Sequence, residues 1–180
     1  MKAAAGRAMS AAVSDPTPAS GAEAHVWALL ERVPDPEIPV LNIVDLGIVR
    51  EVRTRGEGRL HVAITPTYSG CPATAVIRTL VRSALDAGGH ADAILEEVLS
   101  PPWTSDWLTA AGREKLRAFG IAPPEDSVAS PRQLVGSPAV SCPRCASRDT
   151  TRVSEFGSTP CKAHYRCRAC GEPFDYFKCF

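Results

Sequence analysis

Cys142-Pro143-Arg144-Cys145, followed after a hairpin's length of chain by Cys167-Arg168-Ala169-Cys170, decides how the end of this sequence folds. A two-residue spacer lets both sulfurs of such a knuckle reach one ion, and two knuckles complete a tetrahedral four-thiolate shell. The pattern predicts a zinc-ribbon β module over residues 139–180 in which Cys142, Cys145, Cys167 and Cys170 bind one structural zinc. Iron in a rubredoxin-like site and a pair of disulfides are the competing readings. Gly171 follows the second knuckle and can take a positive φ, turning backbone N–H groups toward sulfur. Cys161, His164 and Cys179 are spare ligands within reach of the same module. Aliphatic residues nearly vanish in this stretch, so sulfur–metal bonds rather than an oily interior are expected to hold it. The aromatic tail, Phe174, Tyr176, Phe177 and Phe180, reads as a small core for the ribbon in preference to an exposed docking patch.

Outside the ribbon, 180 residues leave room for one medium domain. Hydrophobic residues make up 44% and charged residues 22%, which places the chain among folded soluble proteins. Lys plus Arg number 20 and so do Asp plus Glu, so no overall field draws the molecule onto nucleic acid or an anionic membrane. The basic residues between the knuckles read as a solvated face, with a protein-docking face and a nucleic-acid contact as the alternatives. Apolar runs stop short of the roughly 20 residues that cross a bilayer. Residues 1–21 are rich in Ala, Ser, Pro and Gly, and Arg7 and Ser10 interrupt any secretory apolar centre, so they read as a disordered leader. Seven cysteines without such a signal point to the cytoplasm, where paired cysteines serve metals more often than disulfides.

Residues 22–122 read as a two-layer α+β domain in the order α, β, β, α, β, α. Val26, Leu29, Leu30 and Val33 form one stripe of a first helix, with Glu23, Glu31 and Arg32 elsewhere. Residues 48–55 and 59–65 read as a hairpin turning at Gly56-Glu57-Gly58. Residues 72–87 are the strongest helix, with Ala73, Val76, Ile77, Leu80, Val81 and Ala84 on one face. A third strand is expected near 93–99 and a last helix over 105–119, with Gly112 inside it at a cost of about 1 kcal/mol. Residues 123–138 contain four prolines and no period, which suits an extended linker between two independently folded pieces.

The main domain carries one cysteine of its own, in Thr65-Pro-Thr-Tyr-Ser-Gly-Cys-Pro72. Proline is favoured at the first helical position, which makes Cys71 the N-cap of the strong helix, its sulfur facing free backbone N–H groups. A helix N-terminus favours negative charge, so Cys71 is a candidate thiolate; the bland alternative is a buried small hydrophobe. Asp35, Glu37 and Asp45 lie in loops flanking the first strand, and Asp45 is the carboxylate singled out as its neighbour. No Ser/His/Asp pattern, glycine-rich phosphate loop or H-E-x-x-H occurs, so no catalytic activity of its own is expected.

Asp35-Pro-Glu-Ile-Pro-Val40, Ile43-Val-Asp-Leu-Gly-Ile-Val49 and the Thr65–Pro72 motif resemble the small α+β domain shared by bacterial SufT and eukaryotic cytosolic iron–sulfur targeting factors. Together with the stretch from Ser154 to Cys179, they resemble the PaaD family of the phenylacetyl-CoA ring-epoxidase clusters. The resemblance spans residues 22–180 and implies an accessory protein of aerobic phenylacetate breakdown. Its implied partners are the di-iron oxygenase and the flavin and iron–sulfur reductase, into one of which it would help load iron or a cluster. Carried over by motif, the family's reactive cysteine falls on Cys71, a transient iron ligand, and its ribbon cysteines on Cys142, Cys145, Cys167 and Cys170. Cys161 and Cys179 fall inside the matched motif with no role assigned. A structural subunit of the epoxidase and a nucleic-acid-binding ribbon protein are the alternative functions, and self-association into a homo-oligomer is compatible with the sequence.

Overall fold

The computed structural model describes residues 21–56, 58–68, 70–124 and 140–178. The expected leader and linker, and Cys179 and Phe180 of the tail, fall outside them except for Gly21, Pro123 and Pro124. The elements run α1 (Gly21–Leu30), β1 (Val49–Arg55), β2 (Arg59–Ile64), α2 (Ala73–Ala87), β3 (Ile94–Glu97), a 3₁₀ turn (Ser105–Trp107), α3 (Ala110–Phe119), β4 (Ile121–Ala122), β5 (Thr150–Ser154), β6 (Lys162–Cys167) and β7 (Pro173–Phe177). The α+β class and the order of the first six elements agree with the sequence reading. None of the described helices is long and apolar enough to cross a membrane.

β1 and β2 form the antiparallel hairpin, and β3 pairs parallel to β2 after the chain crosses over through α2. The helices cover this three-stranded sheet by burying Val26 and Leu30 of α1 and Ala73, Ile77, Val81 and Leu85 of α2. The α2 residues repeat every fourth position, so the buried stripe is narrower than composition suggests, and Val76 is left 48% exposed. Glu23, expected on the solvent face of α1, is buried, because its Oε1 accepts the Thr54 N–H of β1 at 2.8 Å.

The loop between α1 and β1 is held by side chains bonding its own backbone. Asp35 Oδ1 accepts from Glu37 N (2.9 Å) and Ile38 N (2.7 Å), and Asn42 Oδ1 accepts from Val44 N (3.0 Å) and Asp45 N (2.7 Å). The final helix is shorter than expected. The 3₁₀ turn takes its first residues, and α3 starts anew after Thr109, whose hydroxyl accepts Gly112 N–H at 2.9 Å. A Cβ on Gly112 would stand 2.9 Å from the Asp45 carbonyl oxygen and 3.1 Å from its Cβ, so this helical glycine permits close approach of α3 to the loop.

The ribbon is not independent of the domain before it. β4 pairs parallel to β7 and makes a four-stranded sheet in the order β4-β7-β6-β5. Tyr165, Phe174 and Tyr176 fill a small core with Ala122, Val140, Cys142, Ala163 and Cys167. Tyr165 stacks on Phe174 (6.0 Å between centroids) and meets Tyr176 edge-on (5.6 Å). Phe177 instead joins the core of the main domain, edge-on to Trp103 at 6.2 Å, and Cys161 joins it too. The expectation of two separately folded pieces missed this shared interior, because β4 is only two residues long and leaves no periodic signal.

Gly112→Ala separates propensity from packing. Alanine favours a helix by about 1 kcal/mol over glycine, but the contact with Asp45 should turn this into a net loss of about 1–3 kcal/mol, read by urea unfolding. A stabilised variant would show that the loop yields to the added methyl.

Candidate metal centre

The two knuckles bring their four sulfurs within 4.8 Å of one another. Cys142 Sγ stands 3.8 Å from Cys170 Sγ, and Cys145 Sγ stands 3.6 Å from Cys167 Sγ. Four thiolates around a zinc with Zn–S bonds of about 2.3 Å would lie about 3.8 Å apart along the edges of a tetrahedron, so this sulfur set fits one such ion. Gly171 takes φ +79° as expected, and its N–H bonds the Cys167 carbonyl at 3.1 Å. The Cys170 N–H points at Cys167 Sγ (3.5 Å) and is the leading cause that lowers the Cys167 thiol to about 7. Cys161 and His164, the spare ligands, are turned elsewhere: His164 Nδ1 lies 3.3 Å from Asp175 Oδ1.

A second sulfur locus lies where the ribbon meets the main domain. Cys71 is half-exposed ahead of α2 and lines a small cavity with Asp35, Glu37, Thr65, Cys161 and Phe177. The helix begins one residue later than a proline at the first helical position implies. Pro72 occupies the cap position with helical φ/ψ (−65°, −25°), so Cys71 lies just outside the helix, and its carbonyl accepts from Thr74 N–H at 3.2 Å. The cavity has about 20 Å³ of space for the centre of a water-sized sphere. A single water needs about 10–15 Å³ by that measure, so the space has room for a water-sized species.

The groups around this cavity act on one another. Cys161 is buried, and its Sγ lies 3.0 Å from Thr159 Oγ1 and 3.6 Å from Glu37 Oε2, toward which the thiol donates. Burial pushes the Cys161 thiol up to about 11; the Glu37 charge adds to this, while the Thr159 hydroxyl and Lys162 oppose it. Tyr68 is pushed up to about 12, first by its apolar surroundings and then by Cys71, Glu37 and Cys161, so one phenol reports all three groups. Asp35, also buried, is raised by desolvation, against two backbone N–H bonds and the Lys162 charge. Lys162 is itself buried.

Asp45, the carboxylate singled out from the sequence, is not among the residues lining the Cys71 cavity. Its Oδ2 pairs with Lys115 Nζ at 2.6 Å, its Oδ1 lies 3.4 Å from the Thr109 hydroxyl, and its carbonyl accepts Thr109 N–H at 2.9 Å. It fastens α3 to the loop, while the nearer carboxylates are those of the Asp35-Pro-Glu motif. Tyr68 went unnoticed in the sequence although it sits inside the cysteine motif. Cys161 was visible only as a spare ribbon ligand, and the alternation of β6 was the clue. It shares parity with Ala163, Tyr165 and Cys167 but lies one step beyond the ribbon core.

The chain matches the PaaD zinc beta ribbon domain over residues 126–178 and the iron-sulfur cluster assembly protein family over residues 23–93. An Escherichia coli (strain K12) protein provisionally named as a subunit of 1,2-phenylacetyl-CoA epoxidase is 53% identical over 155 residues, which cover 86% of this chain and 92% of that protein. The Bacillus subtilis (strain 168) Fe-S protein maturation auxiliary factor YitW is 39% identical over 86 residues, 47% of this chain and 83% of its own. A crystal structure of a domain of unknown function, DUF59, from Bacillus anthracis is 28% identical with a TM-score of 0.48, covering 52% of this chain and 90% of that one.

Two outcomes are expected. Stripping metal with a strong chelator should expose the backbone amides of residues 142–150 and 167–171 to rapid hydrogen exchange. β7 should stay protected, since Phe177 and the pairing with β4 hold it without metal. Loss of protection throughout the ribbon would show that metal alone holds it.

The second concerns Asp35. A carboxyl raised by folding gives its full stabilisation below the ordinary Asp value of about 3.9 and loses it as pH rises through the folded value, so at neutral pH its charge costs stability. Both backbone bonds reach one oxygen, Oδ1, which an asparagine can supply. Asp35→Asn should therefore match or exceed wild type at pH 7 in chemical unfolding, with the difference closing on acidification. A loss of more than about 1 kcal/mol at pH 7 would mean that attraction to Lys162 outweighs burial.

Proposed function

Because the chain belongs to the family of the Escherichia coli protein provisionally named as a subunit of 1,2-phenylacetyl-CoA epoxidase, we propose that it is a cytoplasmic accessory protein of aerobic phenylacetate catabolism. In this reading it assists iron or iron–sulfur maturation of the epoxidase oxygenase or reductase and catalyses no step of the pathway itself. The domain over 22–122 handles the iron, and the ribbon over 139–180 docks the client.

The observation that carries this reading is the placement of Cys71. It is the partly buried thiol of a segment matching the iron-sulfur cluster assembly family, and it lines a small cavity. Cys71 gives a sulfur lone pair to an incoming iron, and its exposure leaves a side open for a client ligand to take that iron away. Cys142, Cys145, Cys167 and Cys170 hold a zinc that shapes the docking surface. A closed S₄ shell supplies rigidity and no open coordination position.

The E. coli relative is named as part of an enzyme complex, which favours a second reading: a lasting structural member of the epoxidase. Co-expression of oxygenase and reductase with wild type or Cys71→Ala separates the two. Iron and cluster content of the purified clients should fall with Cys71→Ala, and little of the protein should remain bound to them. Equal loading together with fixed-stoichiometry co-purification would replace the maturation reading with the structural one.

A further inference from the structure

Resting on that reading of Cys71, we propose that the ribbon supplies the other half of the site: Cys161 and Glu37 join Cys71 to form a composite thiolate–carboxylate site for one thiophilic divalent cation. The ribbon would thus contribute a ligand to the iron-handling cavity as well as a docking surface.

The geometry comes from three separate elements. Cys71 precedes α2, Glu37 belongs to the loop after α1, and Cys161 stands at the start of β6, yet all three line one cavity. Cys161 Sγ and Glu37 Oε2 are already 3.6 Å apart. Phe177, on the same cavity wall, is held edge-on by Trp103, so the strand pair carrying Cys161 is anchored there by packing. The cavity has room for a water-sized species.

The donor chemistry points the same way. Asp35, Glu37 and two thiols converge on this cavity. Two thiolates with a carboxylate are a donor set for a soft or borderline divalent ion such as Fe(II), Co(II) or Zn(II). On binding, each thiol passes its proton to solvent and its lone pair to the ion, and no electron changes hands.

The two sulfur sites differ in tightness. Among the described residues, the ribbon tetrad is the group whose ligand atoms all lie within 4.8 Å of one another. The cavity ligands are set wider and include a half-exposed thiol. A wide, incomplete shell releases its ion readily, which suits a carrier and would not suit a structural metal.

The test uses the full chain carrying one equivalent of zinc, titrated anaerobically with Co(II). Zinc outranks cobalt in affinity for such ligands, so the ribbon stays filled and cobalt reports the second site. Expected is one cobalt per chain with two sulfur neighbours by X-ray absorption at the cobalt edge. Loss of an outer-sphere partner alone typically costs about 10–100-fold in metal affinity, so Cys161→Ser and Cys71→Ser should each weaken binding at least about tenfold and leave one sulfur neighbour. Glu37→Gln should weaken binding and keep both sulfurs.

Should Cys161→Ser disturb the shared core, Cys161→Ala with an intact circular dichroism spectrum and retained zinc replaces it, and the wild-type sulfur count needs no variant. One sulfur neighbour in wild type, with undiminished affinity in the Cys161 variants, would overturn the composite site while leaving Cys71 as a ligand. Undiminished affinity in Cys71→Ser would instead remove the basis of the proposed function. No second metal in wild type would overturn the composite site outright.

Discussion

The seating of Phe177 against Trp103 is the contact on which the rest of this structure depends. A strand that belongs by pairing to the ribbon buries its last aromatic side chain in the interior of the other domain. The two-residue β4 completes the junction by adding main-chain pairing between the same two parts. An aromatic side chain of this size removes a large apolar area from water, and its loss from a core commonly costs about 3–5 kcal/mol. The junction therefore fixes the ribbon at one place relative to α2, and Cys161 reaches Cys71's cavity as a result.

The molecule then holds sulfur in two different settings. In the ribbon, a left-handed glycine follows the second knuckle and four cysteine sulfurs lie within 4.8 Å of one another, a set that fits one ion. At the junction, two thiols and two carboxylates line a small space, and one of the thiols, that of Cys71, is only partly buried. In the proposed reading, closure would serve retention and openness exchange. That division of labour is what an accessory protein needs if it must keep its own shape while passing metal to another.

Much of this architecture was legible in the sequence, for identifiable reasons. The C-x-x-C spacing reports a local geometric requirement, so the tetrad could be read without knowing the fold. The apolar stripe of α2 survives because that helix buries one face, whereas β2 buries Ala63 along with Leu60, Val62 and Ile64, so its alternation is only partly kept. What escaped was what depends on tertiary approach. Glu23 looks like a surface residue until Thr54 offers it an N–H. Gly112 looks like a defect until the Asp45 backbone is found against it. Asp45 itself is a carboxylate in the right loop facing the wrong way, claimed by Lys115. Glu37, earlier in the same loop, reaches the cavity instead, and nothing in its immediate neighbours distinguishes the two.

Cys161 immediately precedes β6, and Cys167 ends it. At about 3.3 Å per residue in an extended strand, those two sulfur positions are about 20 Å apart, several times the reach of any shared ligand sphere. An ion in the ribbon and an ion at the junction would therefore share no ligand. What the strand can transmit is displacement: a rod ending at a knuckle cysteine and packed at its other end into the main-domain core would convey a partner's push on the knuckles to the cavity as movement, with no atom exchanged between them.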